Sequence, residues 1–169
     1  MFYQKYVIFH MVCRCVRWHA AKVVATKSME DLISAIDEIW VSIHGPPKEF
    51  IIDGETAIAK GWETRAYFKA KGIKVIVRAP GMHAHFIERR GALFRNTLHL
   101  VDTQLEQEGI KDIPIDQRVG ESVFAGNAML SINNTTPYNA LYGRVPTILP
   151  DINQCRSDDS TGLPGSIRH

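Results

Sequence analysis

This sequence has few cysteines, no long apolar run and only a small net charge. Each of these features excludes some classes of protein. The three cysteines are an odd number, which argues against a disulfide framework and favours a reducing compartment. No apolar run approaches the roughly 18 residues of a membrane span, and the N-terminus lacks the layout of a secretory signal peptide. The sequence therefore predicts an intracellular protein, nuclear or cytoplasmic, that does not contact a membrane.

The composition is that of one globular domain with little excess charge. The net charge of +2 is too small to identify a polyanionic partner, so the distribution of charge matters more than its sum. No glycine-rich phosphate loop is present, which argues against an α/β domain for a small phosphorylated ligand. Because the length of 169 residues and the apolar fraction of 45% suit one domain, we expect it to cover residues 1–150. The polar stretch 151–169 is expected to be a disordered tail.

The hydrophobic pattern alternates between the periods of strands and helices, and it predicts eight elements. In order, these are strands at 6–13 and 16–25, a helix at 29–44, a strand at 49–53, a helix at 56–71, a strand at 73–77, and helices at 83–108 and 114–134. The first two strands are close enough in sequence to form an antiparallel hairpin. The later strand–helix–strand order is typical of an α/β layer with parallel strands. The tryptophans, Trp18, Trp40 and Trp62, are assigned to the core.

Two carboxylates stand out because each follows a local signal. Asp53 ends the short apolar strand, and Glu88 lies 35 positions later, near the start of a predicted helix. Mg²⁺ is usually held by one or two carboxylates together with phosphate oxygens of a substrate. The pair is therefore a candidate site for a hard divalent cation. Simpler interpretations stay open, since an Asp after a strand is often a helix N-cap and a lone Glu is often a solvated helix residue.

Basic residues gather on the same predicted helix. Arg95 and His99 follow Glu88 at seven and eleven positions, which places all three near one helix face, and Arg89 and Arg90 flank that face. Basic side chains arranged in this way can contact phosphates, which supply much of the sequence-independent affinity for DNA. An ordinary solvated face is the alternative. Because a run of acidic residues follows, the positive region is local, and DNA binding is expected to be weak and steeply salt-dependent.

Other potential metal ligands are weaker candidates. Cys13 and Cys15 could suggest a soft metal, but two thiols without further ligands are usually structural. His83 and His85 come just before Glu88, and turn or capping roles are preferred for them over metal ligation. The two carboxylates therefore remain the main candidate.

Four segments lie in an order that suggests a family. They are Val12-Cys-Arg-Cys-Val-Arg-Trp18, Gly45-Pro-Pro-Lys-Glu-Phe-Ile-Ile-Asp-Gly54, His83-Ala-His-Phe-Ile-Glu-Arg-Arg90 and Asn134-Thr-Thr-Pro-Tyr-Asn-Ala-Leu-Tyr-Gly-Arg-Val-Pro146. Together they resemble the catalytic core of retroviral and LTR-retrotransposon integrases, which are RNase H-like polynucleotidyl transferases. In that family the segments look like the second strand, the strand ending in the second catalytic carboxylate, the helix carrying the third, and the block after the core helices.

The resemblance implies an α/β fold, an RNase H-like mixed sheet flanked by helices, with Asp53 and Glu88 as catalytic residues and metal ligands. The implied reaction is phosphoryl transfer, in which water or a DNA 3′-hydroxyl attacks a phosphodiester beside carboxylate-held metal ions. The implied cofactor is Mg²⁺ or Mn²⁺. The implied partners are DNA, both element ends and target, and a homo-oligomer, with no membrane and no small-molecule cofactor. Arg89, Arg90, Arg95 and His99 are the candidate DNA-binding residues.

One departure from the family pattern limits these expectations. The family's first catalytic Asp lies on a central first strand, and counting back from Asp53 places it at or before Met1. We therefore expect the sheet to lack that strand and to leave unpaired backbone edges on both sides of the gap. The chain as given is expected to bind Mg²⁺ or Mn²⁺ weakly and not to join DNA strands.

The leading hypothesis is thus an N-terminally truncated integrase core that acts in DNA integration. One rival is a degenerate, non-catalytic nucleic-acid-binding or dimerisation module that keeps the fold. Another is an unrelated small-molecule α/β domain, which the lack of a glycine-rich loop disfavours.

Overall fold

The computed structural model describes residues 1–53, 61–78, 85–132 and 134–149, apart from the side chain of Asp53. The predicted tail and the first residues of the helices predicted from positions 56 and 83 lie outside these ranges. Within them, none of the helices has the length and apolar character that crossing a lipid bilayer requires.

Three strands near the N-terminus form an antiparallel sheet. β1 (Phe2–Tyr3), β2 (Tyr6–Val12) and β3 (His19–Val24) lie side by side in that order, and the β2–β3 register pairs Met11 with Ala20. The predicted hairpin is therefore confirmed. The additional strand β1 was not predicted, because two residues are too few to show an alternating pattern.

A helical segment follows the hairpin. α1 (Met29–Ile36) begins at Ser28, whose hydroxyl oxygen accepts a hydrogen bond in the first turn. The helix passes through a π-helical turn (Asp37–Val41) into α2 (Ser42–His44) and ends at Gly45, where φ is 76°. The sequence predicted both ends correctly but not the π-helical turn, which interrupts the regular hydrogen bonding in the middle.

A second, parallel pair of strands comes next. β4 (Glu49–Asp53) and β5 (Lys74–Arg78) pair in parallel, as predicted, and α3 (Trp62–Ala70) belongs to the connection between them. Across the described strands, no hydrogen-bonded pair joins β4 and β5 to the β1–β3 sheet. The sequence predicted unpaired backbone edges on both sides of such a gap, and this prediction is wrong for β2, because β1 pairs with its outer edge at Tyr6 and Val7.

Trp62 does not belong to the core. Trp62 is 75% exposed, whereas Thr64 and Phe68 of the same helix are buried. Since each residue turns an α-helix by about 100°, Trp62 lies roughly 200° around the helix from Thr64 and so faces outward. The assignment of Trp62 to the core was therefore wrong.

Three helices complete the described chain: α4 (His85–Gln107), α5 (Ile115–Met129) and α6 (Pro137–Tyr142). α5 ends at Met129 rather than at position 134, because Leu130 adopts an extended conformation with ψ of 111°. The ring of Tyr138 in α6 lies 6.3 Å from the Trp18 ring, centroid to centroid. The segment after α5 is thereby packed back against the β2–β3 turn.

Helices cover both faces of β2. Met11 points to one face, where it packs in a cluster with Leu32 of α1. Ile8 points to the opposite face, where it packs with Phe94 and Leu98 of α4. Alternate strand residues therefore contribute to two hydrophobic clusters, and the chain forms a three-layered α/β/α arrangement with α4 along one side of the sheet.

Candidate metal and nucleic-acid site

Asp53 is the last residue of β4, and its backbone pairs in register with Arg78 at the end of β5. The backbone therefore places Asp53 at the carboxyl edge of a parallel pair, which is where ligand sites collect in α/β sheets. The side chain of Asp53 lies outside the described residues, as do His83 and residues 54–60 and 79–84. Its role as a metal ligand stays a prediction.

Glu88 lies in the first turn of α4, where a negative charge is stabilised by the helix N-terminus. Its side chain is 52% exposed, and Oε2 lies 3.9 Å from Nδ1 of His85, which is more exposed still. An ion pair of this length at the surface contributes little to stability. The contact with His85 therefore adds little to stability, and about half of the Glu88 side chain is exposed to solvent.

The predicted DNA-binding residues of α4 separate into two groups. Arg89, Arg95 and His99 are exposed, as a phosphate-contacting surface requires. Arg90 is only 6% exposed, and its Nη2 donates a hydrogen bond to Oδ1 of Asn127 at 2.9 Å. Arg90 departs from the prediction because it lies roughly 200° around the helix from Glu88, on the side that packs against α5.

The sequence contains a signal for the burial of Arg90, although its position next to Arg89 suggested a shared exposed role. Phe94 and Leu98, four and eight positions after Arg90, are the buried apolar residues of α4. Residues four apart lie on one helix face, so the spacing assigns Arg90 to the inner face. The prediction that Arg90 joins Arg89 at the DNA-binding surface did not take this four-residue spacing into account.

Arg17 is a further cation near the start of α4, and it is not among the predicted DNA-binding residues. It lies in the β2–β3 turn with φ of 62°, an uncommon value for a residue other than glycine. Its guanidinium carbon lies 4.8 Å from the centroid of the Phe86 ring, a cation–π distance. Since Phe86 is two positions before Glu88, Arg17 adds positive charge close to the first turn of α4. No sequence signal identifies this contact, because it depends on the backbone of a turn distant in sequence.

The donor types at this site suit a hard cation, although the described set is small. Mg²⁺ binds through one or two protein carboxylates and keeps several waters, so Glu88 with Asp53 would satisfy its preference for oxygen. No group of three or more His, Cys, Asp or Glu side chains able to hold a metal occurs among the described residues. Cys13 and Cys15 are free thiols there, without further ligands. The oxygen ligands of Asp53 and Glu88 fit Mg²⁺ or Mn²⁺ in chemistry.

Comparisons with known proteins give information on the fold. The sequence matches no known family pattern and no curated protein sequence. The HTLV-2 integrase catalytic core domain in complex with magnesium, in its trimeric form, is structurally similar with a TM-score of 0.66 at 17% identity. That match covers 81% of this chain and 86% of the HTLV-2 chain. The dimeric form of the same domain has the same TM-score and identity, and the match covers 82% and 87% of the two chains.

A third similar structure is the simian T-cell lymphotropic virus intasome in complex with the PP2A regulatory subunit B56 gamma. The TM-score is 0.70 at 14% identity, over 86% of this chain. The match spans 50% of the intasome chain. At these identities the likeness concerns the fold, and it confirms the predicted α/β class, that of the RNase H-like integrase core.

Proposed function

We propose that this chain is the catalytic-core portion of a retroelement integrase and takes part in DNA integration. The observation that carries the proposal is the position of Glu88, an exposed carboxylate in the first turn of α4, within a fold similar to integrase catalytic cores. The proposed core covers residues 1–150, works inside the cell, and derives from an LTR retrotransposon or a related element. The similar structures are described as dimeric, trimeric and intasome forms, which supports DNA and further copies of this chain as partners.

In this proposal Asp53 and Glu88 hold Mg²⁺ or Mn²⁺, weakly because the pair supplies only two carboxylates. A divalent ion at such a site stabilises negative charge on a phosphodiester. The exposed Arg89, Arg95 and His99 lie on the same helix as Glu88 and would contact phosphates of the DNA backbone. Arg90 has no part in this surface, because it is buried.

Metal binding tests the carboxylate pair directly. In a titration with Mn²⁺ followed by NMR, we expect paramagnetic broadening of the amide signals around Asp53 and Glu88. Asp53→Asn and Glu88→Gln should each weaken the apparent affinity at least about tenfold, because each carboxylate supplies a large share of the attraction for the ion.

The matched control is Glu121→Gln, which makes the same change at an exposed position of α5. It should leave the Mn²⁺ affinity unchanged. If broadening occurs elsewhere, or if it is insensitive to Asp53→Asn and Glu88→Gln, these residues do not form the metal site.

DNA binding tests the basic surface of α4. The logarithm of the binding constant for a short duplex should fall linearly with the logarithm of the salt concentration. Replacing both Arg89 and Arg95 with glutamine should reduce the steepness of that dependence by up to about 2, since each lost phosphate contact removes roughly 0.9. Fluorescence anisotropy over a salt series measures this slope.

A double variant with the same charge loss elsewhere, Lys111→Gln with Arg144→Gln, serves as the control because both residues are exposed outside α4. An equal reduction of the slope in the control would mean that net charge, not the α4 surface, attracts the DNA.

The second candidate function is a non-catalytic nucleic-acid-binding or dimerisation module. The exposure of Arg89 and Arg95 favours it, because a basic surface can bind DNA without a bound metal. The two functions differ in one measurable respect. DNA binding that depends on Arg89 and Arg95, together with no Mn²⁺ binding at Asp53 and Glu88, would support the non-catalytic module over the catalytic core.

A further inference from the structure

A cleft of about 290 Å³ lies between α4 and α5, away from the Glu88 surface. Its walls include the apolar side chains of Leu93, Phe94 and Met129, and its polar lining includes Arg90 and His19. Leu93 and Met129 are 38% and 69% exposed, so they form the rim, whereas Arg90 and His19 are buried. The cleft thus combines an apolar entrance with a cation at its base.

Arg90 lacks a compensating charge in this cleft. Nη2 donates to Oδ1 of Asn127, an oxygen that also accepts the backbone N–H of His19, and Nε has no hydrogen-bond partner among the described residues. No ion pair between Arg90 and a carboxylate occurs in the described part of the chain; burial alone lowers the pKa of Arg90, to about 10, so it stays charged at neutral pH. A buried, unpaired charge is costly, and proteins usually satisfy it with an opposite charge.

Space around the guanidinium is restricted to the cleft side. A Cβ added at Gly126 would lie 3.1 Å from Nη2 of Arg90, so α5 approaches the guanidinium as closely as a residue without a side chain allows. A side chain at position 126 would therefore require the guanidinium to shift by a few tenths of an ångström. An anion that pairs with Arg90 must enter from the open side, between Leu93 and Met129.

We propose that this cleft binds a small organic carboxylate. The carboxylate accepts hydrogen bonds from the Arg90 guanidinium, whose planar donor array matches the two oxygens. The apolar body of the ligand packs against Leu93, Phe94 and Met129. The cleft volume is near the lower end for small-molecule sites, which suits a compact ligand such as a substituted benzoate. The base of this site is turned away from Glu88, since Arg90 and Glu88 lie on different sides of α4. Its rim adjoins the proposed DNA surface, because Leu93 lies one helical turn after Arg89.

Benzoate and its neutral analogue benzamide are suitable probes, because they have nearly the same shape and differ in charge. In NMR titrations of the full chain, benzoate should shift the Arg90 Nε–H signal and the amide signals of the cleft residues. Benzamide should bind at least about tenfold more weakly, because a charge-assisted pair with a buried guanidinium is stronger than a neutral hydrogen bond. Equal binding of the two probes, or no shift with benzoate, would overturn the proposal.

Two substitutions at Leu93 test the electrostatics without removing a buried group. Leu93→Glu adds a carboxylate at the rim and should abolish benzoate binding by repulsion, whereas Leu93→Gln, of the same size, should retain most of it. Arg90→Gln should also lose benzoate binding, and a native-like spectrum will show whether that variant folds. Shifts confined to Arg89 and Arg95, or benzoate binding unaffected by Leu93→Glu, would show only adventitious anion binding and would contradict the proposal.

Discussion

Replacing Asn127 with alanine is expected to lower the free energy of unfolding by about 3–5 kcal/mol. The Asn127 side chain is fully buried; Oδ1 accepts the His19 N–H at 2.9 Å, and Nδ2 donates to the His19 carbonyl oxygen at 2.8 Å. Alanine would leave both backbone groups of His19 and one donor of Arg90 without a partner. Each unsatisfied buried polar group costs about 1–3 kcal/mol. Urea unfolding of the two proteins, with the slope compared as well as the midpoint, measures the loss.

Ser122→Ala is the matched control, because Ser122 is a buried polar residue of the same helix. Its hydroxyl donates to the Arg118 carbonyl oxygen within α5 at 2.8 Å, so no group of another element loses its partner. We expect a cost below about 1 kcal/mol for Ser122→Ala. A similar cost for Asn127→Ala would mean that the contact between Asn127 and His19 contributes little.

Asn127 has this large expected effect because it completes the edge of a sheet. β3 is one of the two edge strands of the described β1–β3 sheet, and both polar backbone groups of His19 bond to the Asn127 amide. The amide of Asn127 therefore acts as a neighbouring strand would, and it attaches α5 to the sheet. Unpaired strand edges are otherwise open to aggregation.

This contact also shows why part of the fold could not be predicted from the sequence. The strands and helices were predictable because their apolar periods and caps are local, as Ser28 and Gly45 illustrate at the two ends of one helical segment. Asn127 and His19 are 108 positions apart, and nothing in either local sequence indicates the other. In the sequence Gly126 only weakens the prediction of a helix, whereas in the structure it lies close to the Arg90 guanidinium, where an added Cβ would be 3.1 Å from Nη2.

The positions of the candidate site residues could be predicted from the sequence, but their grouping into one site could not. Placing Asp53 at a strand end and Glu88 on a helix needed only the apolar pattern, and the backbone agrees with both placements. Assigning them to one metal site needed the family resemblance, since spacing along the chain does not give the distance between two side chains. Arg17 was missed and Arg90 was misassigned for the same reason, because exposure depends on tertiary contacts.

The second large effect is a fall in the free energy of unfolding at acidic pH, and it arises from a pair of histidines beneath α4. Nε2 of His19 lies 3.4 Å from Nδ1 of His10, and the His19 residue is 1% exposed. Burial, with smaller contributions from His10 and Arg90, lowers the pKa of His19 to about 2. Burial, followed by the charges of the N-terminus and Arg95, lowers the pKa of His10 to about 4. Both rings are therefore neutral in the folded protein at neutral pH.

The sign of the effect follows from the unfolded chain, where a histidine has a pKa of about 6.5. Below that pH the unfolded state binds protons that the folded state does not, so the stability present above about pH 6.5 is lost as the pH falls towards 4. Between about pH 7 and pH 5 we expect the free energy of unfolding to fall by about 2–4 kcal/mol, with His19 contributing the larger share because His10 is partly exposed. Urea unfolding at a series of pH values above 5 measures this fall before most carboxylates protonate.

Two histidine variants separate this pair from general acid effects. His10→Gln should reduce the loss of stability between about pH 7 and pH 5, since one of the two proton-binding differences between the folded and unfolded states disappears. His99→Gln removes a histidine from the exposed face of α4 and should leave the pH dependence as it is in the unaltered protein. Because the two variants have the same number of histidines, a difference between them reports the buried position of His10. Identical pH profiles for both would rule out the buried pair as the origin of the acid sensitivity.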